Sequence, residues 1–337
     1  MPRIRKNLEV FSKKPLKQPI TSGYTASGVA PLPPTESLTS LGTLPRVVHE
    51  RSSSIILRHH TMRYEKEKNM LEKEDVRNLK KYFVLTYMIF WLLLCLTGYM
   101  IFLKVPLYIQ VIMKNVSAWS PTFVILIMFK KLYPNITFKE YMKLHFMKKI
   151  NPRVFLVSFL LQAFILVIAV LSFFIINNRP LNTMTFISVS NIIPFIIIDL
   201  TAGVLGEELG WRGYALNILQ NKYIPLTASL IVGVIWGLWH LPLMIFSGYS
   251  GLELVYYIIA FMVAVISFSI IITFFYNKSK NILIAMWIHF WVNFLLKIVI
   301  IDLLPLLMYM SVGYLILAIL IIIMNKNELL VKKEETS

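Results

Sequence analysis

The chain has one cysteine, Cys95, among 337 residues, so neither a disulfide framework nor a thiolate metal site is available to it. It contains no His-Glu-x-x-His and no Gly-x-Ser-x-Gly, which excludes a zincin and a serine nucleophile elbow. Acidic residues are scarce, 17 against 34 Lys and Arg, for a net charge of +17. The excess does not imply nucleic-acid binding, because the basic residues cluster between apolar runs, where the positive-inside rule places them. No apolar stretch follows the basic start Met1-Pro-Arg-Ile-Arg-Lys. A cleaved signal peptide is therefore not expected, and the first apolar span would serve as the insertion signal.

What is abundant is apolar surface. Hydrophobic residues make up 57% of the chain, and the mean hydropathy is +0.68. That composition is far from a soluble domain and predicts an all-α, polytopic membrane protein. Residues 1–62 are rich in Pro, Ser, Thr and Lys and read as a disordered basic cytoplasmic tail, followed by a charged juxtamembrane helix over 63–82. The membrane domain is expected over 83–326, with a cytoplasmic tail at 327–337. About eight spans are expected, each near the 20 residues that cross a bilayer: 83–103, 118–129, 154–176, 187–205, 225–246, 254–276, 282–301 and 303–324. The second is the weakest, being interrupted by Lys114 and Pro121. The basic loop 130–153 is amphipathic and suited to the membrane surface. Lys and Arg alternate between loops so that both termini fall in the cytoplasm of a cell-membrane protein.

Polar groups inside such spans mark a functional site by default. The fourth span leads into Gly206-Glu207-Glu208-Leu209-Gly210-Trp211-Arg212. Glu208 and Arg212 are four apart and share a helical face, so they can pair, while Glu207 is left without a local partner. Trp236 and His240 share a face of the fifth span, and His289 and Asn293 share one of the seventh. Alone, each histidine is more often a hydrogen-bonded packing residue than a catalyst. Together, two carboxylates, an arginine, two histidines and an amide are the inventory of a site that activates water. Glu207, His240 and His289 would equally suit a divalent metal such as zinc with one open position.

These motifs, in this order over about 187–300, resemble the CPBP family, which holds the CAAX prenyl endopeptidases and the bacteriocin-processing or immunity (Abi) proteins. One departure is visible: the family usually has Phe where this chain has Trp236, an aromatic-for-aromatic change. The resemblance implies Glu207 as the base that activates water and Glu208 as its helper, oriented by Arg212. It implies His240 to hold the water or a metal, and His289 with Asn293 to stabilise the oxyanion. The family carries the label metalloprotease, and the resemblance leaves the metal open.

Depth adds a constraint. At 1.5 Å per residue His289 lies about 10 Å inside the seventh span, and His240 about twice as deep in the fifth. Glu207 meets them only if the fourth span continues past 205 towards Leu219. The expected activity is intramembrane hydrolysis of a membrane-associated peptide, either a CAAX-type tail or a peptide precursor. The Ile- and Lys-rich composition suggests a bacterial source and favours the precursor. A non-catalytic immunity or scaffold protein of the same fold is the alternative. A proton-coupled transporter is disfavoured, since no inverted repeat is visible.

Overall fold

The computed structural model describes residues 47–332, with side chains described from residue 70. Most of the tail expected over 1–62 lies outside the described residues. The chain divides into two compact units, residues 1–74 with 335–337 and residues 75–334. The described part of the first is the start of the first helix, and the candidate site lies in the second.

The first helix, α1 (Val47–Phe102), begins earlier than the expected juxtamembrane helix and runs into the first span without a break. No proline falls within it, so nothing removes a backbone N–H or forces a kink. It ends where Lys104 turns left-handed (φ 55°), with Val105 N–H reaching back to Met100 O and Lys104 N–H to Ile101 O, both 3.0 Å. That double closure satisfies the last carbonyls, and Pro106 then prevents continuation.

The second expected span is not one rod. It is α2 (Leu107–Ser117) and α3 (Ser120–Leu132), bent by 48°. Pro121 stands in the first turn of α3, where its missing N–H costs nothing. After α3 come the short α4 (Phe138–Phe146), opened by a Thr137–Glu140 capping box, and α5 (Pro152–Ile176).

The span that carries the glutamates, α6 (Val189–Lys222), is 34 residues long and extends past Leu219 as the depth argument requires. It is interrupted by two π-helical stretches, Leu200–Val204 and Trp211–Leu216, with the α-helical turn Leu205–Gly210 between them. The fifth span is shorter than expected: α7 (Pro225–Trp239) stops at His240, and α8 (Leu241–Ile245) restarts around Pro242. Then follow α9 (Gly251–Ser279), α10 (Ile282–Ile298), α11 (Leu303–Met324) and α12 (Lys326–Leu329). α9 packs between α7 and α11, and α5 covers α10 and α11.

Five helices are long and apolar enough to cross a bilayer, or six with the bent α2–α3 pair as one span. The expected eight is reached only by adding α7 and α10, with 15 and 17 residues. These are about 22 and 26 Å long, short of a hydrocarbon core of about 30 Å. Among the described residues no strand occurs; a single antiparallel bridge joins Phe186 to Val299.

That bridge aligns the site. Ile187 N–H donates to Ile298 O (3.0 Å) and Ile300 N–H to Thr185 O (2.9 Å), tying the start of α6 to the end of α10. The two helices then run antiparallel, and each turn forward on α6 meets a turn back on α10. Asp199 meets Lys297, Gly203 meets Asn293, and Glu208 meets His289.

Candidate active site

The glutamate-bearing turn is placed by two glycines. A side chain at Gly206 would come within 2.9 Å of the Trp119 backbone, and one at Gly210 within 2.9 Å of the Pro121 backbone. Small residues four apart let α3 cross α6 at near contact, as small-xxx-small faces do in membranes. Trp119, at the α2–α3 elbow, secures the crossing by donating its indole N–H to Thr201 O at 2.6 Å. The second π stretch leaves carbonyls free of the helix ladder. Asn217 Nδ2 donates to the carbonyls of Arg212 (2.9 Å) and Gly213 (3.0 Å) there.

Arg212 Nη1 donates to Glu208 Oε1 at 2.9 Å, and both side chains are wholly buried. The pairing expected from the spacing is present. The same oxygen receives a second bond that the spacing does not reveal: His289 Nδ1 lies 2.8 Å from Glu208 Oε1. An ionised carboxylate only accepts, so Nδ1 carries the proton and Glu208 sets the ring's orientation. Glu208 and Arg212 do not line the cavity; they sit behind it and hold His289.

Glu207 faces the other way. Trp236 Nε1 donates to its Oε2 at 2.6 Å, while the Trp236 ring stacks under Arg212, whose Cζ lies 4.3 Å from the ring centroid. The change from Phe is thus more than one aromatic ring for another, because phenylalanine has no N–H to give. Trp236→Phe is expected to lower turnover about tenfold, the worth of one hydrogen bond to a charged group. Unchanged turnover in the purified variant would show that Glu207 needs no such anchor.

His240 caps α7, and its Nδ1 lies 2.9 Å from Trp236 O. A carbonyl only accepts, so Nδ1 again carries the proton and Nε2 is left as an acceptor. Glu207, His240, His289 and Asn293 line one cavity of about 250 Å³, walled elsewhere by Phe261, Phe268 and Leu307. Gly203, in the first π stretch, forms its floor. A Cβ there would lie 3.1 Å from Glu207 Oε1, 3.6 Å from Asn293 Nδ2 and 3.8 Å from His289 Cε1. The three side chains therefore converge around Gly203 on the cavity wall, and a larger residue there would crowd Glu207.

All six expected site residues come together, four on the cavity wall and two behind it. The expected metal set does not form. Among the described residues no three His, Cys, Asp or Glu side chains are placed to hold a metal ion. Glu207 Oε2 and His289 Nδ1 are already engaged by Trp236 and Glu208. Those contacts leave Glu207 Oε1, His240 Nε2 and His289 Nε2 as the atoms that a metal would take.

Residues 188–295 match the family described as type II CAAX prenyl endopeptidase Rce1-like. A CAAX prenyl protease 2 from Methanococcus maripaludis is 28% identical over 226 residues, which cover 64% of this chain and 83% of that protein. A lysostaphin resistance protein A from Staphylococcus haemolyticus is 31% identical over 102 residues, covering 30% of this chain and 26% of that protein. The matched segment holds all six residues whose motifs carry the resemblance, so residues 188–295 are similar to the Rce1-like CAAX prenyl endopeptidases, within a chain that has five or six helices long and apolar enough to cross a membrane.

Proposed function

We propose that this chain hydrolyses a peptide bond near the C-terminus of a lipid-modified, CAAX-type substrate inside the α6–α7–α10 cavity. The observation that carries this reading is the convergence of a carboxylate oxygen, an amide N–H group and an imidazole around Gly203 on the wall of one cavity. A water held in the cavity by Glu207 gives up one of its protons to that carboxylate as its oxygen attacks the carbonyl carbon. His240 Nε2 accepts from the same water and orients it. Asn293 Nδ2 donates to the oxygen that gains charge, with His289 beside it, in a site that excludes bulk water. Collapse of the tetrahedral species breaks the C–N bond, and the amine leaves with the proton Glu207 had taken. No step is routed through a metal.

The apolar wall suits a substrate tail of aliphatic and aromatic side chains, and the archaeal relative's name supports the CAAX class. The test is the purified protein in detergent, offered a pool of peptides and assayed by mass spectrometry. One half of the pool carries prenylated CaaX tails, the other unmodified precursor sequences. Cleavage confined to the prenylated half is expected. Cleavage confined to the unmodified half would make the protein a precursor peptidase, and none in either half would favour a non-catalytic role.

We also propose that both termini are cytoplasmic. Ser250 and Lys278 are exposed at opposite ends of α9. In a Cys95→Ala background, Ser250→Cys is expected to react with an impermeant thiol reagent from outside intact cells, and Lys278→Cys is not. The reverse pattern would invert the topology.

A further inference from the structure

Besides the Trp239 indole N–H, two polar groups of the cavity wall outside the six residues above have no partner among the described residues. Tyr314, on α11, is 1% exposed, and its hydroxyl makes no hydrogen bond. Asp199, on α6, is 4% exposed; Lys297 holds its Oδ1, while Oδ2 has no partner. Both line the cavity that contains Glu207, His240, His289 and Asn293. Tyr314 reaches the site through Phe268, whose ring centroid lies 5.7 Å from that of Tyr314 and 6.3 Å from that of His289.

Packing alone does not explain either group. Tyr314 stands halfway along the 22-residue α11, about 16 Å from its start, where bulk water does not reach. Its ring packs on Phe268, and phenylalanine would fill the same space. Asp199 needs only one oxygen to hold Lys297. A buried acceptor or hydroxyl left unmade is costly, and two of them on residues that line one cavity point to an occupant that satisfies both. A peptide entering from the membrane brings the matching need, since each of its desolvated N–H and C=O groups must find a partner.

We propose that Tyr314 and Asp199 bind the main chain of the substrate. The Tyr314 hydroxyl donates to a backbone carbonyl, and Asp199 Oδ2 accepts from a backbone N–H. The proposal rests on the endopeptidase reading and adds how the substrate is held: its backbone is gripped by two polar groups, and its side chains are selected by the apolar wall.

Peptide affinity measured on the uncleaving Glu207→Gln protein tests this. Adding Tyr314→Phe is expected to weaken binding about tenfold with the melting temperature unchanged, because only one hydrogen bond is lost. A series of peptides with one amide at a time replaced by an ester should contain one position, marking the N–H held by Asp199, where binding falls about tenfold. Equal affinity with and without the Tyr314 hydroxyl, an ester series with no sensitive position, or no binding at all would overturn the proposal. Failure of the endopeptidase reading looks different: the wild-type protein binds the peptide, shows both effects, and leaves it uncut.

Discussion

Glu207→Gln is expected to insert, fold and bind peptide normally and to lose turnover about a thousandfold, within the range set by removing a general base. The substitution keeps the shape of the side chain and an oxygen that can accept the Trp236 N–H, so the packing around Trp236 survives. What it removes is the capacity of the oxygen beside Gly203 to take a proton. Folded yield by size exclusion, peptide affinity and turnover, measured on one preparation, separate these effects. Near-normal turnover would move the role of base to another group.

Glu208→Gln is expected to fail for a different reason. Arg212 is wholly buried, and among the described residues its Nε and Nη2 have no partner and Glu208 is the only carboxylate that hydrogen-bonds it. Without that carboxylate a buried charge stands uncompensated, at a cost on the order of 3–5 kcal/mol. His289 also loses the acceptor that orients its ring. Folded yield and turnover should therefore fall together. Glu208→Gln with Arg212→Gln removes the stranded charge, and should recover yield but not turnover. Recovery of both would reduce Glu208 to a mere counter-ion.

The chemistry of the site was more legible in the sequence than its geometry. Glu208–Arg212, Trp236–His240 and His289–Asn293 each repeat at four residues, and that spacing alone puts each pair on one helical face. Continuation of α6 past Leu205 towards Leu219 followed from the depth of the two histidines. The bond from His289 to Glu208 could not be read, because it depends on the antiparallel register of α6 and α10, which the bridge at Phe186 and Val299 sets. The π stretches of α6 change the register without any mark in composition. The bend at 118–119 had a signal in Pro121, and the close crossing of α3 had one in the Gly206-x-x-x-Gly210 spacing. Tyr314 had none, being one aromatic residue in an apolar span, singled out only by the cavity it faces.

The central claim is that Glu207 activates water against a peptide bond at the floor of this cavity. Wild-type and Glu207→Gln proteins, reconstituted side by side in lipid vesicles, should be given one prenylated CaaX-tail peptide and followed for both bound and cleaved peptide. The account predicts equal binding, with a new C-terminus formed by the wild-type protein alone. Equal cleavage by both proteins, or binding without cleavage by the wild type, would contradict it.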